Sequence, residues 1–332
     1  MTDSLQMRAL IVDSANAPLR LASIQRPVPA AGQVLVRIKA SGVNPLDGKI
    51  RAGQAAHARQ PLPAVLGIDL AGTVEALGEG VSEWLPGDEI YAMATGIGGA
   101  QGSLAEFAAV DARLLARKPD NLSMREAAGL PLVLITAWEG LVDRARVRAG
   151  QNVLVQGGAG GVGHVAVQIA RAFGARVYAT GSEGQQAVIE GFGATFIDYR
   201  KSSVAEYVAE HTDGEGFDIV YDTVGGKTLD DSFMAARVYE GHVVSCLGWG
   251  QHSLAPLSFR GATYSGVFTL LPLLTGKGRE HHGQILHQAA RLIDAGQLKP
   301  LVDPRPFTLQ TAEAAHELLV SGAAQGRLIV EI

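Results

Sequence analysis

The chain has 332 residues, which suggests about two domains, and a formal net charge of −5. Hydrophobic residues make up 47% and charged residues 18%, so a sizeable core is available and a disordered chain is excluded. The acidic balance argues against a general nucleic-acid or polybasic membrane binder. The single cysteine, Cys246, excludes an intrachain disulfide and any multi-cysteine zinc site, and fits a reducing compartment. The first residues show no basic region followed by an apolar core, so no signal peptide is expected. The longest apolar stretches, 127–138 and 267–274, are broken by Pro131 and Pro272 and fall short of the ~20 residues that span a bilayer. A cytoplasmic protein with no membrane or nucleic-acid partner is expected.

In chain order, residues 7–12 and 33–40 read as strands, the second alternating apolar with polar as a half-solvated antiparallel strand does. Pro27, Pro29 and Gly32 punctuate the gap between them. Short strands follow at 72–77, 89–94 and 105–110, separated by turn signals at 78–80 and 86–88. This first part reads as an all-β, Gly-rich domain.

The pattern changes near residue 123. Ser123 stands three residues before Glu126, a capping-box spacing that starts a helix. Strands at 152–156, 176–180, 195–198, 217–221 and 242–247 then alternate with helices at about 162–173, 183–192, 202–211 and 227–236. Alternation of this kind implies a doubly wound parallel sheet. Residues 263–268 read as a last strand, apolar enough to need protection at a sheet edge. Helices at about 279–295 and 311–321 and a strand at 327–332 complete the chain.

Between the strand at 152–156 and its helix lie five glycines within seven residues. Gly158, Gly160 and Gly163 satisfy G-x-G-x-x-G, with Gly161 and Val162 inside the motif. Gly158 permits the tight turn, Gly160 allows the backbone to approach a pyrophosphate, and Gly163 lets the helix pack on the strand. Free N–H groups at the helix start suit phosphate oxygens. Strand, glycine turn and helix together point to a dinucleotide site.

With both halves read, the chain resembles the medium-chain dehydrogenase/reductase superfamily over nearly its whole length, and most of all its zinc-free, zeta-crystallin-like quinone oxidoreductase branch. The stretches that carry this are 42–53, 66–72, 86–88, 134–139, 157–163 and 326–330. The resemblance implies an α/β protein with a mostly β, GroES-like catalytic domain made of residues 1–124 and 267–332. A Rossmann domain, residues 125–266, is inserted between them, and the active site lies in the cleft. Zinc-dependent relatives carry a cysteine where this chain has Asn44 and a histidine where it has Ile68. Their structural-zinc lobe has four cysteines, and the corresponding loop at 94–103 has none. Asp47 and Asp69 lack a soft or imidazole ligand beside them. His281, His282 and His287 cluster on a polar helix and are expected to be solvated. No metal site is expected.

The cofactor is expected to be NADP(H). An NAD site usually places an acid about 20 residues after the loop. Here the second strand ends at Gly181 and Ser182, which leave room and donors for a 2′-phosphate. Gln185 and Gln186 replace a family lysine, while a family tyrosine is kept as Tyr199, next to Arg200 and Lys201, which are candidates for the missing charge. Tyr199 either meets the phosphate or packs at the strand end, and Glu183 would favour NAD(H) if it turned to the ribose. The resemblance further places Asn44, Thr136, Leu247, Phe268 and Arg327 at the cofactor. Asn44 is otherwise a turn residue before Pro45, and Arg327 an ordinary surface arginine. Trp249 and Phe268 form either an aromatic wall or plain core.

Asn44, Asp47 and Lys49 are the candidates for catalysis. Asp47 orients other groups or caps a backbone turn. Lys49 stands where many relatives have a tyrosine. It either stabilises a developing oxyanion or is a solvated residue on a mobile loop between Gly48 and Gly53. The expected reaction is hydride transfer from NADPH to a quinone, with α,β-unsaturated carbonyls as the close alternative. A third reading, of another class, is a non-catalytic NADPH-binding structural or interaction protein. The resemblance also implies a homodimer.

Overall fold

A computed structural model of the chain describes residues 5–332. Its contacts form two compact units. One runs up to Leu132 and takes in Leu270–Ala295 and Pro300–Ile332; the other is Val133–Thr269 with Gly296–Lys299.

In the first unit, β1 (Gln6–Val12) pairs antiparallel with β2 (Arg20–Gln25). The long β3 (Gln33–Val43) is the spine of the larger sheet. Val34, Val36 and Ile38 stand two residues apart on one face. They pack against Leu70, Val74, Ile90 and Leu114 in a single core. The helix α1 (Pro45–Arg51) follows at once. Its sequence was expected to be a mobile loop around Gly48 and Gly53, and the structure corrects this. Asn44 takes the extended N-cap conformation, and Pro45 at the first position has the right φ and no N–H to leave unpaired. Together they start a helix that tolerates the interior Gly48. β4 (Ala64–Val65) pairs with β1, and β5 (Asp69–Leu77), β6 (Glu89–Met93), β7 (Phe107–Asp111) and β8 (Ala116–Arg117) extend the two sheets. The helix α2 (Met124–Ala128) starts with the expected Ser123–Glu126 capping box.

Pro131, expected to interrupt an apolar stretch, instead opens α3 (Pro131–Trp138), which runs on into a π-helical turn at Glu139–Arg144. Gly140 within that turn lies against the Tyr221 ring. With no side chain there, the Tyr221 hydroxyl donates to the Thr136 carbonyl at 2.6 Å.

The second unit alternates β9 (Asn152–Gln156), α4 (Gly163–Ala172), β10 (Arg176–Gly181), α5 (Gln186–Gly191), β11 (Thr195–Asp198), α6 (Val204–Thr212), β12 (Ile219–Asp222), α7 (Lys227–Ala235), β13 (His242–Ser245), α8 (Ala255–Arg260) and β14 (Thr263–Gly266). The six strands are all parallel, in the order β11-β10-β9-β12-β13-β14. Strand order reverses between β9 and β12, the switch point at which doubly wound sheets bind ligands. Val153, Leu154, Val155, Ile219 and Val220 are buried, as strands covered on both faces require. β14 does lie at the edge, but Thr263, Tyr264 and Gly266 are exposed, so it is not the apolar strand expected.

The chain then returns to the first unit with α9 (Leu271–Thr275), α10 (Arg279–Asp294), β15 (Phe307–Thr308), α11 (Ala312–Ser321) and β16 (Leu328–Glu331). His281 and His287 on α10 are exposed, but His282 is buried. It precedes Ile285 and Leu286 by one helical turn and so shares their inward face, which corrects the expectation of three solvated histidines. β16 pairs antiparallel with the end of β3, setting Leu328 opposite Val43 and Ile329 opposite Gly42. On the other side of β3, Asp69 also lies opposite Gly42.

Candidate active site

That pairing explains how four residues far apart in sequence meet. Asn44 follows β3, Asp69 opens β5, and Arg327 precedes β16 on the opposite side of β3. Asp47 is one turn into α1. All four are buried. The Asn44 amide donates from Nδ2 to Asp69 Oδ2 at 3.0 Å, and its Oδ1 accepts from Arg327 Nη2 at 2.5 Å. An acid on one side and a guanidinium on the other fix which way the amide points. Arg327 Nη2 also lies 3.6 Å from Asp69 Oδ2, and its Nε donates to the Gly129 carbonyl at 2.7 Å. The Leu132 N–H donates to Asp69 Oδ1 at 2.9 Å. Arg327 is thus neither at the surface nor loose. Asp69 was passed over in sequence as a lone carboxylate. It joins the group because β5 is hydrogen-bonded beside β3, a register that local pattern does not reveal.

Asp47 accepts from the Asn44 N–H at 2.8 Å and the Gly67 N–H at 3.2 Å. Burial pushes its carboxyl up to about 7, against the pull of these two N–H groups, with the Asp69 charge adding to the rise. Burial likewise raises Asp69, to about 6, while Arg327, Asn44 and the Leu132 N–H hold it down. Burial lowers Arg327, and the two carboxylates oppose that. Two carboxyls face one guanidinium, so the group is neutral only when it carries one proton. Lys49, on the outer side of α1, is exposed and outside this group.

In the second unit, the glycine turn is built as its spacing demands. A Cβ on Gly163 would strike the Gly157 carbonyl, and one on Gly158 would lie 2.5 Å from the Ala179 side chain. On Gly160 the nearest atom would be the Gly157 oxygen at 3.1 Å, and that residue is exposed. Thr180 holds the turn from β10: its Oγ1 accepts from the Gly157 N–H at 3.0 Å and its carbonyl from the Gly158 N–H at 2.9 Å. The first helical bond joins the His164 N–H to the Gly160 carbonyl at 3.0 Å. Ahead of it, the N–H groups of Gly161, Val162 and Gly163 form no intrachain bond among the described residues. This is the donor array that a pyrophosphate needs, so the residues present fit a dinucleotide.

At the end of β10, the Ser182 hydroxyl turns to Gln185 Oε1 at 3.2 Å. Glu183 pairs with Lys201 at 3.2 Å, both largely exposed. Tyr199 is exposed, with the Arg200 guanidinium 5.6 Å from its ring centre. Gly181 packs against Ile189 and Gln185, so a side chain has no room there. Beyond β13, Asp222 accepts from Ser245 Oγ at 2.7 Å, and Ser245 Oγ accepts from the Leu247 N–H at 3.0 Å, fixing the loop that carries Leu247. Trp249 and Phe268 meet edge to face with ring centres 6.2 Å apart. Thr136 is buried in α3.

Known proteins place this architecture. An alcohol dehydrogenase GroES-like domain model matches residues 30–120, and a zinc-binding dehydrogenase model matches residues 192–330. The chain is 36% identical to the 2-methylene-furan-3-one reductase of Solanum lycopersicum, over 90% of this chain and 71% of that one. It belongs to the medium-chain dehydrogenase/reductase superfamily. Within the superfamily it is quinone oxidoreductase-like: it is 29% identical to the human quinone oxidoreductase, over 98% and 97% of the two chains. An alcohol dehydrogenase superfamily structure from Novosphingobium aromaticivorans superposes with a TM-score of 0.96 at 55% identity, covering 98% and 99% of the two chains. Membership makes this chain an NAD(P)-dependent oxidoreductase, with a doubly wound sheet and a GroES-like domain.

Proposed function

We propose that this medium-chain reductase transfers hydride from NADPH to quinones and related enones without a metal. The observation that carries the reading is the Asn44–Asp69–Arg327 arrangement. Where zinc-dependent relatives hold their ion, this chain has an amide bonded on both sides, beside a buried Ile68 that offers no ligand. The Arg327 guanidinium already supplies positive charge beside Asp69, so these residues do not fit a zinc ion. Among the described residues, no three His, Cys, Asp or Glu side chains are grouped to hold a metal elsewhere.

Bound nicotinamide supplies the hydride. The work of the protein is then to bind, orient and exclude competing reactions. Gly161, Val162 and Gly163 would present their N–H groups to the pyrophosphate. Arg200, with no carboxylate partner among the described residues, stands beside Tyr199 to receive a 2′-phosphate. The pairing of Glu183 with Lys201 draws away the one acid that would favour NADH. In the first unit, Asn44 and Arg327 would orient the nicotinamide half through the bonded amide. A quinone needs no metal, because its reduced anion is phenol-like, with a pKa of about 10. The enone reading is favoured by the names of two relatives. The chain is 36% and 35% identical to the 2-methylene-furan-3-one and alkenal/one reductases, against 29% for the human quinone oxidoreductase.

The test is NADPH oxidation by chelator-dialysed protein, with neutral quinones and enones as acceptors. Turnover that survives dialysis is expected. No turnover with any acceptor, or activity restored only by zinc, would overturn the reading. Losing one charge-assisted phosphate contact costs roughly 1.5–3 kcal/mol, so NADPH should bind at least about tenfold more tightly than NADH in a fluorescence titration.

A further inference from the structure

A hollow of 470 Å³ opens beside the last turn of α1, lined by Ile50, Ala55, Ala56, Arg59, Gln60 and Pro61. Ile50 lies six residues after Asn44 on one helix, or ~9 Å along its axis at 1.5 Å per residue. A molecule held near Asn44 is therefore within reach of the hollow.

Its floor is apolar and its two polar residues differ in kind. The Gln60 amide is fully engaged: Nε2 donates to the Ala100 carbonyl at 2.9 Å, and Oε1 accepts from the Gly99 N–H at 2.8 Å. The Ala58 carbonyl accepts from the Gly98 N–H at 3.0 Å. Arg59 is thus stapled on both sides to the 98–100 loop. Its own guanidinium is exposed and has no carboxylate or carbonyl partner among the described residues, whereas the nearby Arg51 is bound to Glu313 at 2.6 Å. Its backbone is left-handed, with φ 49° and ψ 38°, a conformation uncommon outside glycine and often kept where a side chain must point a particular way. No acid occurs between Asp47 and Asp69, a stretch that carries Lys49, Arg51 and Arg59 in a chain of net charge −5. With Arg51 paired to Glu313, Lys49 and Arg59 are the cations of this stretch left without an acid among the described residues, which favours an anion.

We infer that this hollow is a subsite for the carboxylate of an otherwise apolar electron acceptor, with Arg59 as its ligand and Ile50, Ala55, Ala56 and Pro61 packing on the acceptor's body. A guanidinium held on a fixed backbone matches the planar fork of a carboxylate. The inference deepens the proposed function and rests on it, since the acceptor must also be a substrate.

The test uses a matched pair with one reacting enone: 4-oxo-4-phenylbut-2-enoate and its methyl ester. In the wild type, kcat/KM is expected to favour the acid, and salt should erode that preference because the contact is solvent-facing. Arg59→Gln should lower the acid-to-ester ratio by at least about fivefold, a modest value for a charge-assisted contact at an exposed site. Arg59→Lys should retain part of the ratio. A ratio within twofold of wild type in Arg59→Gln would overturn the subsite. If neither compound is reduced, the quinone and enone panel decides the proposed function separately, and calorimetric binding of the saturated 4-oxo-4-phenylbutanoate reads the subsite alone. Binding weakened by Arg59→Gln supports it, and equal or absent binding overturns it.

Discussion

Asn44 touches three charged residues at once: Asp47 through its backbone, and Asp69 and Arg327 through its amide. Asn44→Ala leaves the last two short of a buried partner, and should cost about 1–3 kcal/mol in urea unfolding. Asp47 gives the site a pH dependence of definite sign. Its carboxyl is raised from 3.8 to about 7 by burial. The folded chain then holds a proton that the unfolded chain releases between those values, so this group's stabilisation is complete below about 4 and is lost as pH rises through 7. Wild type should lose more stability than Asp47→Asn between pH 5 and 7.5. The glycine turn separates fold from function. Gly160→Val adds a side chain at an exposed position and should abolish dinucleotide binding while the melting temperature holds. Gly163→Val meets the Gly157 carbonyl and should unfold the unit, as melting curves of the two variants will show.

At the scale of elements, α11 carries a second pH-sensitive group of opposite sign. His316 is buried on this helix, and neither ring nitrogen has a hydrogen-bond partner among the described residues. Burial, with Arg51 nearby, lowers its pKa from 6.5 to about 4, and Glu313 opposes this. Stability contributed by the neutral ring is present above 6.5 and lost as pH falls through 4. His316→Leu should therefore flatten the acid limb of a stability–pH curve measured by denaturant. How much of the molecule was readable follows the same local logic. β9, β10 and β11 could be read because apolar, β-branched runs were bounded by glycine or polar residues. β2 was missed because Arg20–Gln25 is mostly exposed and its alternation, Ala22 and Ile24 turned inward, is only two residues long. α1 and α3 were missed because Pro45 and Pro131 were read as breaks, although proline at the first helical position starts a helix. The glycine turn of the candidate site depends on spacing and was legible. The inward turn of Arg327 and its meeting with Asp69 depend on strand register and were not.

For the whole molecule, β14 is one edge of the parallel sheet, with β11 the other, and its outer N–H and C=O groups have no neighbouring strand among the described residues. An exposed edge of this kind invites pairing with another chain. We expect a homodimer joined there across a two-fold axis. Light scattering at dilute concentration checks the mass. Thr263 and Val267 donate inward to β13, so the N–H of Gly266 faces outward, and a proline replacing Gly266 should shift the mass to that of a monomer. The union of β3 with β16 has a different consequence, for the order in which the molecule is made. The Arg327–Asn44 bond joins residues 283 positions apart. While the chain is still emerging from the ribosome, β3 has no β16 beside it, and the buried charges of Asp47 and Asp69 have no arginine to meet. The second unit, nearly all in one continuous stretch from Val133 to Thr269, has no such wait, and domains generally fold as units as they are synthesised. A protease pulse on stalled nascent chains should find that central stretch resistant while residues 33–77 are still cleaved, so the glycine turn is complete before the carboxylates near Asn44 find their counter-charge.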